Sequence, residues 1–313
     1  MTDRITPPPR AAIDKAGRWV DRAFRLQATA LYLFLYVPIG LVVLFSFNAG
    51  DRTGELRGLS LRWYGRALGD PFAMGALENS FVVGTWTAVI ATTLGTLAAL
   101  ALQRASRSVR AVFEAITYVA IIIPGIVIGI ATLIFFVNAF AWLNPQLASI
   151  WSAFGLGAPP TIGTGLHTII AAHVLFTMAI VIVLVRARLA GMDRTLTEAS
   201  FDLFASPFRT FVQVTLPQLR PAIITGALLA FTFSFDDYVI ASFVAGPGKP
   251  TLPMYVFSSI RRGITPEINA IASMVLSVTV TMLLVVGLIY RRSSRIAAAQ
   301  RAAELADVQE TVP

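Results

Sequence analysis

Six apolar blocks of 20 to 29 residues constrain this chain more than any other feature it contains. They run Ala28–Phe47, Asn79–Gln103, Val112–Phe140, Gly165–Leu189, Ala222–Gly246 and Ile268–Tyr290. A helix needs about 20 residues to cross roughly 30 Å of hydrocarbon. It also satisfies its own backbone polar groups there, which an open strand cannot do. Soluble domains carry about 25% charged residues, whereas this chain carries 13% and is 56% hydrophobic. The blocks predict an all-α membrane protein with six transmembrane helices. The first block is long, lacks a small-residue cleavage site and is followed by others, so it reads as a retained span rather than a signal peptide.

The net charge of +8 could suit nucleic acid, but its placement argues for membrane topology instead. Six Lys/Arg residues precede the first block: Arg4, Arg10, Lys15, Arg18, Arg22 and Arg25. Three more (Arg104, Arg107, Arg110) lie between blocks two and three, and five (Arg186, Arg188, Arg194, Arg209, Arg220) around the connection of four and five. Four follow the last block: Arg291, Arg292, Arg295 and Arg301. The opposite side holds seven: Arg52, Arg57, Arg62, Arg66, Lys249, Arg261 and Arg262. By the positive-inside rule both termini are expected in the cytoplasm, and no nucleic-acid partner is expected. The expected organisation is a cytoplasmic tail over 1–27, a membrane region over 28–290 and a second cytoplasmic tail over 291–313. The absence of cysteine excludes disulfides and thiolate metal sites. His167 and His173 are not at metal-ligand spacing, and His173 reads as a satisfied interhelical group rather than a ligand.

Pro124-Gly125 interrupts the third block. Proline removes one helical hydrogen bond and clashes with the preceding turn, so a kink or local unwinding is expected. It either lines a pathway or is a simple packing kink. Outside, Leu61-Arg62-Trp63-Tyr64 predicts a short amphipathic helix with its aromatics at the lipid interface. The uncharged stretch Trp142–Thr164 predicts a re-entrant or interfacial segment, and Gly246–Glu267 a turn-rich loop.

The most informative stretch joins blocks four and five. Thr195 and Glu198 form a capping-box pattern that predicts a helix start. Leu196, Ala199, Leu203 and Phe204 then share one face. Ser206-Pro207 supplies a cap and a first-turn proline for a second short helix. The apolar face of a short helix outside the bilayer needs a partner. Glu198 and Asp202 sit badly beside anionic lipid, which favours protein.

Glu198-Ala199-Ser200 through Leu216-Pro217 resembles the cytoplasmic E-A-A loop of permeases of ATP-binding-cassette (ABC) importers, type I. The resemblance implies that a coupling loop over 191–220 docks into a cleft of an ATPase subunit. The coupling residues would be Glu198, Ala199, Ser200, Asp202, Phe204, Pro207, Leu216 and Pro217. The consensus has glycine where this chain has Phe204. Further similarity, in Phe233-Ser234-Phe235-Asp236-Asp237-Tyr238, in Phe243–Gly248 and in Gly263–Ala270, is to the spermidine/putrescine permeases. It implies a second permease subunit, an ATPase dimer that uses ATP and magnesium, a periplasmic binding protein, and no cofactor on this chain. Two departures stand out: Gly125 replaces an acid that usually follows the proline, and Ala179 replaces a proline in block four.

Asp236 and Asp237 carry a reading of their own. Each acid at mid-membrane costs about 2.5–3.5 kcal/mol, so the pair should face protein or an aqueous path. Adjacent helical residues diverge by about 100°, so one side chain would meet a passing cation while the other is tied structurally. The alternative is an interhelical ion pair or a protonated buried acid. The expected pathway residues are Asp236, Asp237, Tyr238 and Pro124.

No G-x-x-x-x-G-K-[ST] run exists to cradle ATP, and no hydrolytic constellation stands clear of the membrane. An enzyme is therefore not expected; energy would come from another polypeptide. A permease for another solute (an amino-acid derivative, phosphonate or ferric ion) stays open. A gradient-driven secondary transporter would show inverted repeats, and none is recognisable.

Overall fold

The structure, a computed structural model, describes residues 10–52, 54–193, 195–263, 265–281 and 284, with side chains from Trp19 onward. Among these residues the chain is helical apart from loops and one isolated bridge between Asn48 and Leu59. Five helices are long and apolar enough to cross a membrane: Trp19–Ser46, Pro71–Arg104, Gly125–Ala153, Leu166–Ala190 and Pro207–Asp236. A shorter apolar helix covers Pro266–Thr281. The expected sixth block continues to Tyr290; apart from Leu284 its remainder, and the tail 291–313, lie outside the described residues. Two compact units divide the chain: residues 1–69 with 263–313, and residues 70–262.

In the first unit, α1 (Arg10–Ser46) begins directly after Pro7-Pro8-Pro9, so much of the segment expected as a tail is helix. Its span from Trp19 exposes large apolar side chains such as Phe24, Leu31 and Phe34, as a lipid-facing helix does. Asn48 organises the loop that follows. Its side chain donates to the carbonyls of Arg52 (2.9 Å) and Glu55 (2.7 Å) and accepts from the N–H groups of Gly50 (3.0 Å) and Arg57 (2.9 Å). All four of its hydrogen-bonding positions are used, as a buried amide requires. The short helix α2 (Arg62–Gly69) forms as expected, but Trp63 does not sit at a lipid interface. It is buried, its Nε1 donates to the Asn48 carbonyl at 2.9 Å, and the guanidinium groups of Arg62 and Arg66 lie over its ring.

The second unit is built on three helices that pack on one another: α3 (Pro71–Arg104), α6 (Leu166–Ala190) and α9 (Leu216–Asp236). Between them the chain places small residues. Ala88, Ala91, Ala99 and Ala230 are buried against Val181, Val185, Leu189 and Leu219. Lipid tails are as apolar as leucine, so membrane helices gain by close van der Waals approach, which small residues permit. Gly95 shows how close: a Cβ there would lie 2.8 Å from the Cβ of Val181 and 3.1 Å from the Met178 carbonyl oxygen.

Of the two outcomes expected at Pro124, the third block shows unwinding rather than a kink. It is α4 (Arg107–Ile122) and α5 (Gly125–Ala153), parted at Ile123-Pro124. Pro124 becomes the N-cap residue of α5, the place where a missing N–H costs nothing. α5 continues to Ala153, so half of the stretch expected as re-entrant is regular helix. The fifth block also differs: α9 ends at Asp236 instead of running to Gly246, and a separate short helix, α10 (Val239–Val244), follows. The Gly/Pro-rich stretch beyond contains α11 (Leu252–Arg262) rather than turns alone. Its entry is fastened to α3, where Asn79 Nδ2 donates to the Pro250 carbonyl at 2.9 Å and the Leu252 N–H donates to Ser80 Oγ at 2.8 Å. Gly246 has no room for a side chain, because a Cβ would fall 2.1 Å from the Thr164 carbonyl oxygen.

The close approach at Gly95 gives a direct test. Gly95→Ala should destabilise the unit by about 1–3 kcal/mol through overpacking. Gly75→Ala, on the same helix where a Cβ meets open space, should be neutral or stabilise by up to about 1 kcal/mol. Thermal unfolding of the two variants in one detergent separates them.

Candidate functional site

Two helix breaks meet inside the second unit. Gly125, at the start of α5, faces Val239 and Ile240 of α10 at 3.8–4.0 Å from its would-be Cβ. One turn on, a Cβ at Gly129 would collide with the Phe243 ring at 2.6 Å. The break at Pro124 and the break at Asp237-Tyr238 are thus neighbours, and glycine lets α5 and α10 touch.

The second break has neither proline nor glycine to cause it. Asp237 is extended (φ −72°, ψ 124°), and its Oδ1 accepts from the Ala241 N–H at 3.0 Å, capping α10. The same oxygen lies 3.2 Å from Nε2 of His173, a fully buried residue of α6. A carboxylate only accepts, so Nε2 carries the proton; in the neutral ring Nδ1 then accepts from the Ser234 hydroxyl at 2.8 Å. His173 is therefore a satisfied interhelical group. Asp237 is tied, with 16% of its side chain exposed.

Asp236 is different. Its side chain is exposed and has no hydrogen bond or ion pair among the described residues. Because the helix stops between them, the two acids need not diverge as they would on one continuous helix. Tyr238 stacks on Phe257 of α11, with centroids 4.2 Å apart and planes 11° from parallel. Pro124 is exposed at the other break. Nothing local in the sequence links Phe257 to Tyr238. Ala179 lies buried in an unbroken α6, which a proline would have bent.

The connection of α6 and α9 holds a second group of candidate residues. Helix α7 (Thr195–Asp202) starts with Thr195 as its first helical residue. The cap is Asp193, not Thr195. Its carboxylate accepts from the Thr195 N–H at 2.9 Å, and that bond, with a further one from the Thr195 hydroxyl, holds its carboxyl below the usual carboxylate range. No residue of α7 is buried; Leu196, Leu203 and Phe204 are all exposed, so the predicted apolar face has no cover among the described residues. Ser206 and Pro207 act as expected, Ser206 Oγ accepting from the Arg209 N–H. However, α8 (Pro207–Thr210) is not a free-standing helix. It runs through a π-helical turn, Phe211–Thr215, into α9. Pro217 explains the turn in part: it has no N–H for the Gln213 carbonyl and its ring presses on that carbonyl, while the Leu216 N–H reaches back to Phe211. Leu216 and Pro217 thus belong to the root of the span rather than to the exposed helix. Ser200 and Thr210 hold the two arms together through their hydroxyls at 2.9 Å.

Behind α7 lies an open cleft of about 810 Å³, lined among others by Arg104, Arg110, Arg186, Glu198 and Phe211. Two of the arginines are engaged. Arg110 donates to the carbonyls of Leu102, Gln103 and Ala105, closing the end of α3, and Arg186 pairs with Glu114. Glu198 and Asp202 are exposed, as are Ala199 and Pro207. Among the described residues no cluster of three His, Cys, Asp or Glu side chains could hold a metal.

Comparison with known proteins fits this architecture. Residues 91–296 match the family described as binding-protein-dependent transport system inner membrane component. The chain is 42% identical over 246 residues to the putrescine transport system permease protein PotI of Escherichia coli (strain K12), covering 78% of this chain and 82% of that protein. It is 31% identical over 267 residues to the spermidine/putrescine transport system permease protein PotC of the same strain, covering 85% of this chain and 93% of that one. A chain from the crystal structure of a bacterial ABC transporter involved in import of the acidic polysaccharide alginate shares the fold, with a TM-score of 0.70 at 15% identity over 91% of this chain and 99% of that chain. The chain belongs to the binding-protein-dependent transport system inner membrane component family and is a multi-pass permease subunit of an importer.

Proposed function

We propose that this permease carries polyamines of the putrescine and spermidine class into the cytoplasm, driven by a separate ATPase dimer and supplied by a periplasmic binding protein. A second permease subunit completes the pathway, lipid surrounds it, and both termini lie in the cytoplasm. ATP and magnesium act on the ATPase, and this chain needs no cofactor. The observation that carries the substrate reading is Asp236, an exposed carboxylate at a helix break with no partner among the described residues. The 42% identity to a putrescine permease supports it. A free carboxylate suits a primary ammonium group and repels phosphate or sulfate. Asp237 and Tyr238 shape that break; Pro124 forms the neighbouring one, where Gly125 stands in place of the acid usual in the subfamily.

On this reading ATPase closure pushes on α7 through Glu198, Ala199, Ser200, Asp202 and Phe204. The push passes to the membrane through Pro207, the π-turn, Leu216 and Pro217. The hydroxyl pair Ser200–Thr210 makes the two arms move together. The open cleft behind α7 gives room for that movement.

Two sets of variants test the assignments. Asp236→Asn should lower uptake of labelled putrescine about tenfold or more, since a close contact between unit charges is worth several kcal/mol at protein dielectric, while melting temperature and complex yield hold. Asp237→Leu should do the reverse first. It leaves the buried His173 Nε2 and the Ala241 N–H without an acceptor, at a cost of about 1–3 kcal/mol, so the melting temperature falls. Unchanged uptake in Asp236→Asn would remove Asp236 from the pathway. For coupling, Glu198→Arg should leave the fold intact and the ATPase turning over, but cut the solute moved per ATP; normally coupled uptake in inside-out-corrected vesicles would contradict the docking role.

A further inference from the structure

Phe204 is the one non-glycine residue with positive φ among the described residues, at +58°. It is also 98% exposed, and its apolar neighbours Leu203 and Phe208 are 81% and 77% exposed. A bulky side chain is disfavoured in the left-handed region because Cβ crowds the following carbonyl. A phenyl ring in water also forgoes the burial that large aromatic side chains usually find. Glycine at this position would remove both penalties at once. The backbone explains why the conformation holds regardless of residue type. The Phe204 N–H bonds the Phe201 carbonyl at 2.9 Å, and the Ala205 N–H reaches the Ser200 carbonyl at 3.1 Å. This six-to-one closure ends α7 and needs a left-handed residue between its arms. Phe204 therefore occupies a glycine position in a fixed, presented geometry.

We infer that Phe204 is a preset aromatic anchor for the ATPase subunit and, with Leu203 and Phe208, forms the apolar centre of that contact. The inference rests on the coupling reading above and adds which side chain grips. Several features favour a protein partner over the bilayer. Glu198 and Asp202 lie on the same short helix, so its charge suits a groove with basic rims and is repelled by anionic headgroups. The chain is one component of a multi-subunit system and has no phosphate-binding loop of its own. Aromatic side chains surrounded by smaller apolar contacts are the usual centres of such interfaces. Fixing the ring before contact avoids an ordering cost on binding.

The chain contains no cysteine, so Arg209→Cys introduces a single thiol beside the contact for an environment-sensitive fluorophore. The labelled full-length chain, in nanodiscs with its partner permease, is titrated with the purified ATPase subunit of its own system. In this background Phe204→Gly should weaken binding about tenfold, as loss of a central aromatic contact does, yet raise the melting temperature by about 2 °C, because the strain is gone. Phe204→Asn tolerates the left-handed backbone but offers no apolar ring, and should weaken binding as well. Phe204→Leu should bind more tightly than either. Equal binding by the parent and Phe204→Gly would overturn the anchor while leaving the coupling reading in place. No binding by the parent would overturn both. A fluorophore already buried in nanodiscs without ATPase would make lipid the occupant and overturn the anchor.

Discussion

Three membrane helices that touch through alanine and glycine set the terms for everything else in this chain. Because lipid offers no hydrophobic reward for helix association, α3, α6 and α9 hold together by proximity, and proximity requires Gly95 against Val181. Once α6 and α9 are fixed, His173 on one stands opposite Ser234 on the other. That pairing delivers the second ring nitrogen to Asp237 and makes a helix break stable where no proline or glycine would cause one. The break in turn leaves Asp236 exposed, with no partner among the described residues. Packing, a buried polar chain and an available charge therefore form one sequence of dependence.

The same root carries the cytoplasmic end. α9 begins in a π-turn that continues into α8, and α8 is fastened to α7 by two hydroxyl groups. A displacement of α7 has a covalent and hydrogen-bonded route to the helix whose far end bears Asp236. Motion of this kind is rocking of rigid elements about a few turns, the usual form of alternating access. The cleft lined by Arg104, Arg110 and Arg186 keeps α7 from being cemented to the bundle.

How much of this was legible in the sequence varied with the range of the cause. The first, second and fourth spans are legible because length and apolarity act locally, and Pro124 announces its break because a missing N–H is a property of one residue. Asp236-Asp237 stand out in the sequence, but its apolar run points to a helix end at Gly246, ten residues beyond the actual end of α9. The residue that follows the stop, Asp237, is held by His173, 64 positions away, and by the Ala241 N–H. The start of α7 was placed correctly with the wrong cap, since Asp193 and Thr195 both carry a cap-competent oxygen and only the backbone decides between them. The uncovered face of α7 followed from the spacing of Leu196, Ala199 and Leu203. The left-handed geometry of Phe204 did not, although its place at a consensus glycine pointed to the position. Asn48 gave no signal, because its four partners are main-chain groups that any residue could supply.

The most direct measurement is accumulation of labelled putrescine in proteoliposomes, comparing this chain alone with the full assembly of both permeases, ATPase dimer and binding protein. Concentration against the gradient should occur only in the full assembly, and only with ATP and magnesium on the ATPase side. Uphill accumulation by this chain alone would contradict a permease that takes its force from a separate motor.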